Sequence, residues 1–217
     1  MNGSLAAALP GSNRRTDISD HLSTLFYFAV DSSPKLIVEL GTRGGESTRA
    51  LLAAADHTQS TLLSIDIFDC ENIQLPFRKR WHFIKADDLE FASSGFTAWC
   101  QSRSLEPRID VLFIDTSHEY EHTKAEIKLW SSYLADHAVM LFHDTNLGDG
   151  TYARLDGSIG IAWNNQRGVI RALEELLGRR YDETSFFCDV TKNYLVMHYP
   201  NCNGLTVLKK VSTPKRI

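Results

Sequence analysis

A doubly wound α/β domain with a mainly parallel sheet is predicted by three features. Short apolar runs alternate with amphipathic stretches, a glycine-rich turn joins the first such run to a helix, and nearly every run ends in an acidic or ionisable residue. Leu36-Ile37-Val38-Glu39-Leu40 is continuous and β-rich, as expected of a strand covered on both faces, and Gly41 closes it. The preceding segment, Thr16 to Asp20, offers helix caps ahead of Leu22, Leu25, Phe26 and Ala29 at helical spacing, and Pro34 ends that helix. A second helix starts about Ser47-Thr48.

The pattern then repeats. Thr61 to Asp66 is the second strand, Trp81 to Asp88 the third, Phe96 to Ser102 a helix, and Ile109 to Asp115 the fourth strand. His122 to Leu134 reads as a helix and Ala138 to Asp144 as the fifth strand. After Asp144 the alternation breaks over Thr145 to Gln166, and a clear helix follows at Val169 to Leu177. Thr184 to Asp189, Tyr194 to His198 and Leu205 to Leu208 are short β segments, two of them expected to form an antiparallel hairpin. Residues 1–15 read as a flexible tail and 16–217 as a single domain, with 146–166 as a substrate lid, since loops of such length in compact domains are usually functional or disordered. Tyr152, Arg154, Trp163, Asn164 and Asn165 would suit stacking and hydrogen bonding to a polar acceptor, and Arg14-Arg15 could fold over it.

Composition narrows the class without naming a function. The 217 residues suffice for one substantial core, 43% are apolar, and the net charge is −4 with Lys and Arg scattered, so a nucleic-acid footprint is not indicated. No stretch approaches the roughly 20 apolar residues of a membrane span. Leu5 to Leu9 is too short and lacks the basic segment of a secretory leader. The four cysteines lie far apart and read as reduced thiols. A cytoplasmic protein with a small-molecule partner is the expectation, and a homo-oligomer is compatible with it.

Ligands of open parallel sheets bind beyond the carboxyl ends of the strands, so the residues there matter by position: Glu39, Asp66, Asp87 and Asp88, Asp115, and His143 with Asp144. The turn Gly41-Thr42-Arg43-Gly44-Gly45-Glu46-Ser47 allows close backbone approach. It is not G-x-G-x-x-G, because Arg43 and Glu46 stand at the third and sixth positions, which argues against the pyrophosphate of an NAD-type oxidoreductase. An acid ahead of the turn suits a cationic, amino-acid-bearing ligand, and Asp66 is placed to accept two hydrogen bonds from a ribose diol.

Val38 to Thr48, Phe113-Ile114-Asp115-Thr116-Ser117-His118-Glu119-Tyr120 and Leu141-Phe142-His143-Asp144-Thr145 together resemble class I S-adenosylmethionine-dependent methyltransferases, in particular the macrocin and mycinose-type sugar O-methyltransferase and cephalosporin-biosynthesis group. The resemblance runs from about Pro34 to Thr145. It implies a Rossmann-like seven-stranded sheet of order 3-2-1-4-5-7-6 with strand 7 antiparallel. It also implies S-adenosyl-L-methionine held by Glu39, Gly41, Thr42, Arg43, Gly45 and Ser47 along the methionine part, by Asp66 at the ribose, and by Asp87 or Asp88 at the adenine amino group. A divalent cation, Mg²⁺ or another, would be bound through Asp115, His143 and Asp144, with His118 as base and Asp115 beside it as the second catalytic residue. His143 stands where the resemblance predicts a carboxylate, which lowers the charge of the site and disfavours a hard ion. The chemistry fits: methyl transfer from a sulfonium needs an aligned oxygen nucleophile whose proton is removed. A protein of this fold that binds the cofactor without catalysis is the remaining alternative.

Overall fold

The computed structural model describes residues 16–147, 150–153, 159–162 and 166–211. The expected tail 1–15, Arg14-Arg15, and Arg154, Trp163, Asn164 and Asn165 of the expected lid lie outside them, as do the side chains of 150–153 and 159–162, Tyr152 included.

The strands are β1 (Leu36–Leu40), β2 (Thr61–Asp66), β3 (Trp81–Lys85), β4 (Ile109–Ile114), β5 (Leu134–His143), β6 (Gly150–Ala153), β7 (Ile159–Ala162), β8 (Phe187–Thr191), β9 (Tyr194–Tyr199) and β10 (Leu205–Lys210). The helices are α1 (Leu22–Asp31), α2 (Glu46–Thr58), α3 (Asp88–Ser94), α4 (Phe96–Gln101), α5 (Tyr120–Trp130) and α6 (Gly168–Leu177), with short 3-10 turns at Ser19–His21, Arg78–Arg80 and Ser131–Tyr133. The main sheet has the order β3-β2-β1-β4-β5-β10-β9-β8. β1 to β5 run parallel, while β10 pairs antiparallel with both β5 and β9. With β10 as the seventh strand and β9 as the sixth, this is the expected 3-2-1-4-5-7-6 arrangement. An eighth strand, β8, is added at the edge by its hairpin with β9. Within 146–166 the chain forms an antiparallel β6–β7 ribbon where a loop was expected.

Both faces of the sheet are covered, which is why its strands read as uninterrupted apolar runs. Side chains alternate between two cores: Val38, Leu40, Ile65, Leu112, Ile114, Met140 and Phe142 pack against Phe96, Trp130 and Leu173, whereas Ile37, Leu62, Val111, Phe113 and Leu141 pack against Leu25, Phe26 and the alanines of α2. The strand starts are pinned by Asp110, whose Oδ2 accepts the Lys35 and Leu36 amides at 2.7 and 3.1 Å.

Three departures from the expected boundaries have local causes. β5 starts at Leu134 rather than Ala138 because Leu134 already pairs with Ile109; the exposed Asp136 and His137 fall in the register irregularity between that pair and Val111–Val139. α5 runs from Tyr120 to Trp130, and the last turn tightens into a 3-10 turn before β5. No side chain caps the Ser19 turn or α1; Ser19 instead bonds back to Thr16.

Candidate active site

The tips of β1, β2 and β4 are locked together by backbone. Asp115 N donates to Leu40 O and Gly41 N to Ile65 O, each at 2.9 Å. Gly41 has φ +87°, and a Cβ on it would lie 1.9 Å from the Asp115 carbonyl oxygen. Only glycine fits both the left-handed conformation and the contact. Beyond these tips lies a cavity of about 560 Å³ lined by Gly41, Arg43, Asp66, Phe68, Asp87, Asp88, Asp115, Thr116, Ser117, His118 and His122, among others. The glycine bend, the β2 acid and the β4 tip therefore share one crevice.

Asp66 serves that crevice from a fixed pose. Its Oδ2 accepts the amides of Thr42 and Arg43 at 2.8 and 3.0 Å, and its Oδ1 accepts the Phe68 amide at 2.8 Å. A carboxylate oxygen has two lone pairs, so an anchored Asp66 retains acceptor capacity toward a ligand. Ile67 and Phe68, 60% and 68% exposed, follow it on the cavity rim.

Glu39 stands behind the turn and not on the cavity wall. Its Oε1 accepts from Ser47 Oγ at 2.7 Å, and its Oε2 from Thr48 Oγ1 at 2.8 Å and Ser64 Oγ at 2.5 Å; Ser64 in turn accepts from Trp81 Nε1. Burial pushes its carboxyl up to about 7 against the pull of those hydroxyls. Wholly buried and away from the cavity wall, Glu39 supports the bend from below, where the sequence placed it along the ligand. Ser47 belongs to the same strut. Thr42 is buried, and Gly45 faces the Ile73 and Leu75 side chains, so neither forms part of the cavity wall.

At the opposite end, Asp115, His118 and Asp144 each place one ligand atom within 4.8 Å of the others. His118 Nε2 lies 2.8 Å from Asp144 Oδ2 and 3.3 Å from Asp115 Oδ1. Both His118, at φ +61°, and Asp144, at φ +55°, hold left-handed backbones that cost side-chain-bearing residues energy. Gly168, at the start of α6, abuts the His118 carbonyl, where a Cβ would come within 2.3 Å. Burial alone would lower the His118 imidazole, but its bonds to Asp115 and Asp144 hold it up to about 10. Burial alone would raise Asp115; the adjacent His143 and His118 imidazoles hold it at about 2, and His143 and His118 hold Asp144 well below the carboxylate range.

His143 differs from its expected place in a metal set of Asp115, His143 and Asp144. Its Nε2 faces the carbonyls of Asp17 and Cys202 at 3.1 and 3.0 Å, so that nitrogen is a donor committed to backbone. Its Nδ1 meets Asp115 Oδ1 at 3.3 Å and Asp144 Oδ2 at 3.4 Å, and its side chain is 1% exposed. The converging donor set is therefore Asp115, His118 and Asp144, backed by an imidazole that the two carboxylates hold protonated well above its ordinary range. His21 stacks edge-on to His143 at 5.8 Å and bonds Asn201 O, so residues from both ends of the described chain close over the back of the site.

Of the residues singled out in the sequence, Gly41, Arg43, Asp66, Asp87, Asp88, Asp115 and His118 meet at the cavity. Asp87 also caps α3, its Oδ1 accepting the Glu90 amide at 2.9 Å. Sequence reasoning missed Thr116, Phe68, His122, Glu126 and Gly168. Of these, only the His122/Glu126 pair carried a signal, two ionisable groups four apart on one helix face.

Comparison with known proteins agrees with this fold. A family model described as a methyltransferase domain matches residues 38–145. No curated protein matches the chain in sequence. Among solved structures, cofactor-bound Rv0187 from MTB is 15% identical with a TM-score of 0.59, over 97% of this chain and 87% of that one. The O-methyltransferase TomG from Streptomyces achromogenes, involved in tomaymycin synthesis and solved with SAM, is 17% identical with a TM-score of 0.57, over 98% and 91%. The MycE methyltransferase of the mycinamycin biosynthetic pathway, solved with Mg, SAH and mycinamycin VI, is 17% identical with a TM-score of 0.53, over 95% and 57%. The match sets aside the oxidoreductase reading, and no helix among the described residues is long and apolar enough to cross a membrane. With the strand order, the glycine bend and the matched domain in agreement, the chain has the fold of the class I S-adenosylmethionine-dependent methyltransferases.

Proposed function

We propose that the protein transfers the methyl group of S-adenosylmethionine to a hydroxyl of a small molecule, a sugar or another natural-product acceptor. The observation that carries this reading is the single crevice running from Asp66 to the Asp115–His118 end. Asp66 would accept from the ribose hydroxyls, the Gly41–Arg43 backbone would border the methionine part, and Asp87, whose Oδ1 alone is spent on the helix cap, would meet the adenine amino group. Glu39 and Ser47 would set the bend's shape from beneath. The likeness to TomG, an O-methyltransferase, supports oxygen as the acceptor atom, and the β6–β7 ribbon would serve as the acceptor lid.

The two carboxylates of the donor set suit a divalent cation, which leaves His118 outside its ligands. Asp115 and Asp144 are two convergent carboxylates, and the buried Asp144 Oδ1 has no hydrogen-bond partner among the described residues. Held there, such an ion would supply Lewis-acid lowering of the acceptor hydroxyl's pKa. His118 lines the cavity and would take the hydroxyl proton at Nε2, its proton-free form being favoured whenever the charge of the two carboxylates is otherwise balanced. His143, fixed by two carbonyls, would hold the carboxylates in place.

Calorimetry with S-adenosylmethionine and S-adenosylhomocysteine, with and without Mg²⁺, on wild type and Asp66→Ala tests the cofactor half. Methyl transfer to a panel of hydroxylated acceptors, with and without chelator, tests the rest. Tight cofactor binding without turnover on any hydroxyl would refute the acceptor assignment.

A further inference from the structure

A second cluster of ionisable groups, distinct from Asp115, His118 and Asp144, borders the cavity. Asp88 at the start of α3 and His122 and Glu126 on α5 bring one ligand atom each within 4.8 Å of the others. His122 Nε2 stands 3.2 Å from Asp88 Oδ1 and 3.5 Å from Glu126 Oε1. Glu126 is wholly buried, and its Oε1 accepts a 2.6 Å hydrogen bond from Thr116 Oγ1. Its Oε2 is buried without a partner among the described residues, and so is Oδ2 of Asp88, a residue only 6% exposed.

This arrangement is costly as a set of hydrogen bonds. One imidazole can balance one carboxylate, not two, and each buried acceptor left unmatched is penalised. The His122 contacts are also longer than the roughly 2.7–2.9 Å of a charge-assisted hydrogen bond. They match ligand spacing instead: donors about 2.0–2.2 Å from a tetrahedral ion stand about 3.3–3.6 Å apart. One nitrogen and two carboxylates form a donor set suited to borderline ions, and the His122 side chain is 24% exposed at the cavity, leaving room for a fourth ligand from solvent.

We propose that Asp88, His122 and Glu126 bind a divalent transition-metal cation, Zn²⁺ above all, at a site separate from Asp115, His118 and Asp144. The ion would tie the start of α3 to α5 and, through the Glu126 bond to Thr116, to the turn after β4. It would thereby brace one wall of the cofactor crevice. The proposal is independent of the acceptor and of any ion at the other site.

Co²⁺ and Zn²⁺ alone, titrated into the full chain carrying Asp144→Asn to disable the other donor set, test it. The expected result is one bound ion with the intense visible absorption of four-coordinate Co²⁺, and an affinity at least 30-fold weaker when His122→Asn or Glu126→Gln is added. Zn²⁺ should raise the Tm of the single variant and leave the double variants unmoved. A double variant that loses its helical circular dichroism is replaced by one carrying Asp88→Asn. No ion bound by the Asp144→Asn chain, or an unchanged Co²⁺ spectrum and affinity in any folded double variant, overturns the proposal.

Discussion

The tips of β1 and β2 satisfy their acids with neutral donors, whereas those of β4 and β5 satisfy theirs with imidazoles. Glu39 and Asp66 take hydroxyls and backbone amides. Asp115 and Asp144 take His118 and His143. Neutral donors fix a shape whose charge they do not alter, which suits gripping a neutral ribose. Imidazoles make a site whose protons can be exchanged, which suits chemistry. On the proposed reading, two neighbouring pairs of strand ends divide recognition from reaction.

The largest expected effect tests the reactive half. His118→Ala should lower turnover by about 10²–10⁴-fold, the usual contribution of a general base, while S-adenosylhomocysteine affinity stays within about threefold in calorimetry. Full activity would remove His118 from the reaction. On the recognition side, Asp66→Ala forfeits hydrogen bonds to a charged acceptor and should weaken cofactor binding about 100-fold. Binding unchanged in the same titration would break the proposed division of labour.

Glu39 sharpens the contrast through pH. Its carboxyl is raised to about 7 in the native state from an ordinary value of 4.5, so the native protein holds that proton more tightly than the unfolded chain does. Stability from this group is therefore full below about pH 4.5 and declines by ~3 kcal/mol as pH rises through 7. Glu39→Gln, which keeps the hydroxyl contacts, should remove that slope in urea unfolding measured from pH 5 to 8. An identical slope in wild type and variant would mean that the strut titrates normally. The smallest effect belongs to Asp87→Ala: loss of the α3 cap should cost about 1 kcal/mol in thermal unfolding, with an about five- to tenfold loss of cofactor affinity from the proposed adenine contact.

Much of the recognition half was legible in the sequence because it is local. Leu36 to Leu40 and Thr61 to Asp66 coincide with β1 and β2, since strands covered on both faces announce themselves as apolar runs and a glycine bend can close only one way. The reactive half was legible only as a roster. Asp115, His118 and Asp144 were in view, but the part played by His143 depends on the carbonyls of Asp17 and Cys202, far away in the chain, and no local pattern encodes such a contact. Likewise Asp88 could not be separated from Asp87 until α5 brought His122 against it. β8 escaped clear definition because its residues are half-buried or exposed at the sheet edge, where hydrophobic periodicity fades.

Gly41 pressed on the Asp115 carbonyl sets how far apart the tips of β1 and β4 stand. The spacing between the methyl donor and the proton acceptor is, on the proposed reading, written into main chain, so drift in side chains elsewhere cannot stretch it. Acceptor preference would then vary with the β6–β7 ribbon, while the transfer distance stays set by the paired strand tips.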